Sequence, residues 1–382
     1  STNRPLIFWS WNGELNDKEL ARQIKEMKDK GIGGFFMHAR GGLLTPYLST
    51  EWMARIKLAV SQAKKLGLEA WLYDEDRWPS GMGGGSVAAK GIRFKQKLLE
   101  CEETDRLHNI DNNDSIAVFL CKKKGQDISH VKYVPYNEVR KNRFKGTFLI
   151  FRKRYAPPNP YQFGESYVDN LNPEVINAFI DSTHEPYNKE VGREFGKTIP
   201  GVFTDEPNYY MPWFGFNKEN YSYLPWTDNL LKDFSEKKGY DLMEKLPLLF
   251  YEGDGFQKVR YDFWSMIADR FVDTYSKRLF NWCKTHNLKF TGHYVEESTL
   301  ASQILYGSNG MLHYEYQDIP GVDHLCKTIN NPIVIKQASS VAHQLGRKRV
   351  LCEIYGGAGW DTKPKDLKWI GDWACVLGIN LL

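Results

Sequence analysis

The chain has 382 residues, enough for one large α/β barrel or two ordinary domains. Its 51 Lys and Arg against 47 Asp and Glu leave a formal charge of only +4, with the basic residues scattered, so neither nucleic acid nor an anionic membrane surface is called for as a partner. No apolar run reaches the roughly 18 residues of a transmembrane helix, and the opening Ser1–Arg4, which leads straight into a strand, shows no signal peptide. The six cysteines form no CxxC pair or Cys/His cluster, which argues against zinc.

Strand and helix signals alternate along most of the chain, the pattern of parallel α/β architecture. Leu6–Trp11 reads as the first strand. Asn16 caps a helix to Lys30, with Leu20, Ile24 and Met27 as its apolar stripe and Gly31 at its end. Gly33–Ala39 is the second strand, Ser49 caps a helix to Leu66, and Leu68–Tyr73 is the third strand, running into Asp74-Glu75-Asp76. The segment Pro79–Ser86 is glycine-rich but lacks the GKS/T ending of a phosphate loop, so it reads as a loop that approaches a ligand closely. Ser115–Lys122, His130–Tyr136 and Thr147–Arg152 then read as strands without helices between them. This predicts a small antiparallel insert over residues 101–162, after the third unit.

Alternation resumes with Asn172-Pro173, a cap followed by proline at the first helical position. Gly201–Thr204 is the fourth strand. Lys289–Val295, Met311–Tyr316 and Arg349–Ile354 follow as the fifth, sixth and seventh, Lys365–Leu377 is a helix, and Ile379–Leu382 begins an eighth strand. The expectation is a (β/α)8 barrel over residues 1–382, without its closing helix, as part of a longer polypeptide.

Three carboxylate-bearing segments end apolar runs: Thr204–Asn208, Gly292–Ser298 and Leu351–Gly357. In a parallel barrel such strand ends open on one face, where active sites sit. Side-chain alternation puts Leu351, Glu353 and Tyr355 toward the axis. With Phe203 taken as helix-facing, Val202, Thr204 and Glu206 point inward. Two inward glutamates on opposite sides of one mouth suit an acid and a base or nucleophile. His293 and Glu297 are expected to line the mouth together. His38 and Arg40 share a face and suit ligand hydroxyls, while Asp74 and Asp76 suit hydroxyls or a hard cation. His313 and Glu315 share a face on the expected sixth strand. Aromatic residues near strand ends, Trp9, Trp11, Tyr73, Trp78, Trp213, Phe214, Trp226, Tyr294, Tyr314, Tyr316, Tyr355 and Trp360, suggest a surface for a flat, partly apolar ligand such as a sugar.

The segments FWSWNGEL, GIGGFFMHARGGL, LEAWLYDEDRWPSGMGGG, IPGVFTDEPNY, FTGHYVEE and LCEIYGG together resemble the catalytic barrel of the α-L-rhamnosidase-like glycoside hydrolases, family 106. The resemblance runs from Pro5 to Leu382. It implies a (β/α)8 barrel with appended β-sandwich domains, and removal of terminal L-rhamnose from plant polysaccharides with inversion and calcium assistance. It implies Glu206 as general acid, Glu353 as base, and Glu297 as a residue holding the sugar or a calcium ion, with Glu297 an alternative base. The expected substrate-binding set is His38, Arg40, Asp74, Asp76, Trp78, His293, Tyr294, Glu297 and Tyr355. A bacterial periplasmic or cytoplasmic location is left open. Three competing functions are a retaining barrel glycosidase, a non-catalytic sugar-binding barrel, and a metal-dependent hydrolase using His38, Asp74, His293 and His313. The last lacks the HxH pattern expected on the first strand, which reads Trp9-Ser10-Trp11.

Overall fold

A computed structural model describes residues 4–105, 115–139, 145–210 and 221–382. Its strands in chain order are β1 (Leu6–Trp11), β2 (Gly34–Ala39), β3 (Glu69–Asp76), β4 (Lys97–Thr104), β5 (Ser115–Lys124), β6 (Asp127–Tyr133), β7 (Thr147–Tyr155), β8 (Gly201–Asp205), β9 (Tyr221–Trp226), β10 (Lys289–His293), β11 (Ile319–His324) and β12 (Leu351–Ile354). Among the described residues these form two sheets. One is parallel, in the order β1-β2-β3-β8-β10-β11-β12, and curls into a half-barrel; the other is antiparallel, in the order β6-β5-β7-β4-β9. Residues Ser1–Val87, Pro173–Asn208 and Val272–Leu382 make the unit with the parallel sheet; Ala88–Asn172 and Tyr209–Phe271 make the other.

In the first unit, local signals set the early crossover helices. Asn16 Oδ1 accepts the N–H groups of Lys18 and Glu19 and starts the helix Asp17–Asp29. Ser49 Oγ accepts from the Trp52 N–H, and Gly67, left-handed at φ 64°, ends the helix Thr50–Leu66. Buried apolar side chains of these helices, Leu20 and Ile24 in one and Trp52, Ile56 and Val60 in the other, give them their inner faces.

The inner side of the parallel sheet is an apolar layer with a contribution from nearly every strand: Leu6, Phe36, Trp71, Tyr73, Phe203, Ile319 and Leu351, together with Leu381 and the half-buried Phe8. This corrects the expected facing of β8. Phe203 points to the axis, so Asp205 does too, whereas Thr204 bonds the Tyr275 hydroxyl at 2.7 Å on the far side. It also removes Trp9 and Trp11 from the expected aromatic surface. Trp9 donates to Gln23 of the first helix, and Trp11 packs edge-on against Trp52 at 5.1 Å. Beyond β12, Leu381 forms a parallel bridge with Leu351, and the Leu382 carbonyl accepts from the Leu6 N–H at 2.8 Å.

The expected sixth strand is corrected as well. Gly310–Tyr314 is a helix capped by Asn309, and the strand is Ile319–His324. Alternation in Met311–Tyr316 imitates a strand, while Pro320 and Gly321 disguise the real one. His313 therefore lies off the sheet. Its Nε2 donates to Gly307 O, its Nδ1 faces Ser276 Oγ, and Ser276 Oγ also meets the Tyr294 hydroxyl. Glu315 is exposed.

In the second unit, Val118, Val134, Phe148 and Ile150 form an apolar cluster, and the fully buried Lys97 donates to Asp169 at 2.8 Å. The edge strand β9 falls where the sequence offered only a long connection; Trp226 belongs to it. Trp213 and Phe214 lie outside the described residues.

Candidate functional site

The C-terminal ends of the parallel strands carry a polar layer directly above the apolar one. It is assembled from Asp205 on β8, His293 on β10, Asp323 on β11 and Glu353 on β12, with Glu206 just past β8. Parallel register sets Asp205 beside His293 and Asp323 beside Glu353. One imidazole is the hub. His293 Nε2 lies 3.0 Å from Asp205 Oδ1 and 3.9 Å from Asp323 Oδ2, and its Nδ1 lies 3.9 Å from Glu353 Oε2. Two acid–histidine groups, Asp205/His293/Glu353 and Glu206/His293/Asp323, each bring their ligand atoms within 4.8 Å of one another.

Glu206 enters this layer by a backbone turn. Its φ of 46° is left-handed, a region a non-glycine residue seldom adopts, and its N–H is held by His293 O at 3.1 Å. Strict alternation from Asp205 would send Glu206 to the other side of the sheet, so the turn lets both acids face the same cavity.

The electrostatics follow from burial and crowding. Burial opposes charge on His293, yet Asp205, Asp323 and Glu353 raise its pKa well above the ordinary value. Burial would raise Asp205, but His293 and the Tyr73 hydroxyl, 2.6 Å away, hold it below the usual carboxylate range. Burial and then the neighbouring Asp205 charge push Glu206 up to about 7 and Glu353 up to about 8. Asp323 rises to about 7 by burial, partly offset by His293 and reinforced by Glu206. The layer thus holds an Asp205–imidazolium pair with three raised carboxyls around it.

His38 is fully buried beside this layer, its ring tilted against Tyr73 at 3.7 Å between centroids, and neither ring nitrogen has a hydrogen-bond partner among the described residues. Burial first, then the Arg40 charge, drive its pKa down to about 3 against the pull of Asp205, so it is neutral. Arg40 is half-buried at the end of β2 and lowers the Glu353 carboxyl electrostatically.

Most of the other expected site residues take partners of their own. Glu297 is buried, and its carboxylate is taken up by three protein donors: Tyr314 O–H at 2.5 Å, Asp323 N–H at 3.0 Å and Tyr294 N–H at 3.3 Å. Tyr294 stacks on His313 at 4.1 Å, behind β10. The Tyr355 side chain approaches Gly371 of the helix Pro364–Leu377. Asp74 accepts from Ser80 Oγ at 2.6 Å and sits 4.0 Å from His184, on the helix-facing side of β3. Asp76 pairs with Arg77 at 3.5 Å, and Trp78 is half-buried at the start of the glycine-rich loop.

That loop is a nest for an internal carboxylate: burial raises the Glu75 pKa, and the N–H groups that converge on it pull the other way and favour the anion. Glu75 Oε2 accepts the N–H groups of Gly81, Met82 and Gly83, and Oε1 accepts those of Gly84 and Asp76, at 2.6–3.2 Å. Gly83 and Gly84, at φ 56° and 62°, turn their N–H groups to one point. Sequence reasoning passed over Asp205, Asp323 and Glu75. Even spacing of inward positions from Phe203 would have found Asp205, and the correct sixth strand would have found Asp323.

Comparison with known proteins follows the same line. A family model described as alpha-L-rhamnosidase, glycoside hydrolase family 106, matches residues 152–382. A Formosa agariphila protein provisionally named beta-glucuronidase is 22% identical over 98% of this chain and 36% of its own length. The solved rhamnosidase of Novosphingobium sp. PP1Y superposes with a TM-score of 0.67 at 15% identity, covering 100% of this chain and 55% of that one; at that identity it speaks for the fold alone. The chain therefore spans between about a third and a little over half of the length of these proteins.

Proposed function

Because the chain belongs to glycoside hydrolase family 106, the alpha-L-rhamnosidase family, we propose that it carries the catalytic centre of an inverting hydrolase acting on terminal α-L-rhamnosides of plant-type polysaccharides. The observation that carries the reading is the convergence of Glu206 and Glu353 on His293 from separated strands. Glu206, the glutamate of the TDEP motif, is the general acid that protonates the glycosidic oxygen. Glu353 is the base that takes a proton from water as that water attacks the anomeric carbon and the glycosidic bond breaks. Inversion requires the two carboxyls to stand about 6.5–9.5 Å apart, which leaves room for water. His38 and Arg40 bind sugar hydroxyls, the former through its partnerless ring nitrogens. The Asp205–His293 pair anchors the polar layer between the two glutamates.

A neutral sugar suits this cavity better than the uronic acid suggested by the beta-glucuronidase name of the Formosa protein. A uronate would add a fifth carboxylate to four, with Arg40 and His293 as the facing cations. Glu297 does not fit the calcium expected of it, since both of its oxygens are engaged by protein donors. Asp323 does fit a hard cation, with a buried Oδ1 that has no partner among the described residues. A calcium ion held there would offset the crowded negative charge and grip sugar hydroxyls. We further take the half-barrel to be completed as an eight-stranded ring, with appended β-sandwich domains in the whole protein. Its closure is supported by the bonds of Leu381 and Leu382 to both edge strands.

Leaving-group dependence tests the roles in the full-length protein. Glu206→Gln is expected to cost about 10³-fold in kcat/KM on alkyl rhamnosides yet little on a dinitrophenyl rhamnoside, whose leaving group needs no proton. Glu353→Gln is expected to lose both equally. The reverse pattern exchanges the roles, and two fully active variants remove them.

A further inference from the structure

We propose that Ser80 and Glu75 are positioning residues for Glu206, acting through a two-point clamp on the Asp205 peptide; the catalytic part of this proposal rests on the hydrolase reading above. Ser80 is fully buried. Its Oγ accepts the Asp205 N–H at 2.9 Å, and its own N–H donates to the Asp205 carbonyl at 2.7 Å. The same Oγ donates to Asp74 at 2.6 Å, which fixes the rotor so that its lone pairs face Asp205. Asp74, expected from sequence to contact a ligand, thus orients the clamp from behind the sheet.

The clamp sits where the parallel ladder needs it. β3 pairs with β8 only at Leu72↔Val202 and Tyr73↔Phe203. Among the described residues the β3 side of β8 has no strand partner past Phe203, and Ser80 supplies a donor and an acceptor there at Asp205. On the opposite side the His293 carbonyl holds the Glu206 N–H. Fixed from both sides, the peptide is committed to the left-handed turn that swings Glu206 into the cavity. Ser80 is placed in turn by the loop that follows it. The five N–H donors closing on the Glu75 carboxylate give that loop a single solution, because successive left-handed glycines must converge on one anion. What resembles a phosphate cradle has its anion built in, and its task is to hold the start of the loop against β8.

The test uses Ser80→Ala in the full-length protein, read in two ways. By amide hydrogen exchange, Asp205 is expected to exchange at least about tenfold faster, as the loss of one buried hydrogen bond implies, with Gly201–Phe203 unchanged. By kinetics, kcat/KM on an alkyl rhamnoside is expected to fall about tenfold while the dinitrophenyl rhamnoside keeps its rate, the signature of a misplaced acid. Glu75→Gln, which turns an amide N–H₂ toward the nest, is expected to give both effects more strongly; if it fails to fold, Ser80→Ala still decides. Unchanged Asp205 exchange overturns the clamp, and equal losses on both substrates overturn its link to the acid. A wild-type protein inactive on every rhamnoside overturns the hydrolase reading, while the exchange measurement still decides the clamp.

Discussion

At the scale of single residues, backbone conformation decides as much as side-chain identity. Glu206 reaches the cavity through one left-handed φ, and Gly292 shows the same economy on β10. Gly292 has φ 134°, and a Cβ there would lie 1.9 Å from the Thr204 carbonyl oxygen of the neighbouring strand. No rotamer relieves a clash between a Cβ and backbone, so Gly292→Ala must part β8 from β10 just below Asp205 and His293. We expect it to cost about 4 kcal/mol or more of stability, the range reserved for strained backbone in a packed core. Denaturant unfolding would register it, and a variant as stable as the wild type would mean that the two strands are less closely apposed. The glutamates themselves were legible in the sequence because each ends an apolar run. The conformation that makes Glu206 useful was not, since φ at a TDEP turn depends on what clamps it.

At the scale of elements, the helix Gly310–Tyr314 replaces the expected strand and takes His313 with it. His313 Nε2–H donates to Gly307 O, and with a neutral ring the Ser276 hydroxyl donates to His313 Nδ1 and the Tyr294 hydroxyl to Ser276 Oγ. The neutral ring follows from burial, which drives its pKa down to about 3. The sign of the pH dependence follows. The folded pKa lies below the unfolded value of about 6.5, so the unfolded state binds the proton first as pH drops. His313 therefore contributes its full share above about 6.5 and loses it progressively toward about 3. The stability gap between wild type and His313→Asn is expected to shrink by about 1.4 kcal/mol per pH unit between pH 6 and pH 4. A gap independent of pH in urea titrations would mean that the ring is charged in the folded protein. The competing metal-hydrolase reading loses one of its histidines here, because His313 sits behind the sheet among tyrosine, serine and backbone partners.

At the scale of the whole molecule, two layers share one sheet interior: aromatic and aliphatic side chains below, carboxylates and His293 above. The lower layer excludes water from beneath the upper one, and this burial is the first cause of the raised carboxyls. Leu381 belongs to that lower layer and lies between the edge strands. Leu381→Ala is expected to cost about 3 kcal/mol, as for a buried leucine in a core that cannot fully collapse, and to loosen the amides of Leu6 and Cys352 in hydrogen exchange. An effect under about 1 kcal/mol would mean that Leu381 adds little to the apolar layer. Among the described residues no helix is long and apolar enough to cross a membrane.

The sequence by itself determined the α/β class, the positions of six of the seven parallel strands, the antiparallel strands β5 to β7, and the two glutamates at strand ends, because each leaves a local mark in periodicity, caps or composition. Only the tertiary structure decided which side of β8 faces inward, where β11 runs, and that Asp205, Asp323 and His293 meet. Those outcomes depend on which neighbours a strand pairs with and how a curled sheet fills its interior, and such contacts between distant segments leave no periodic trace along the chain.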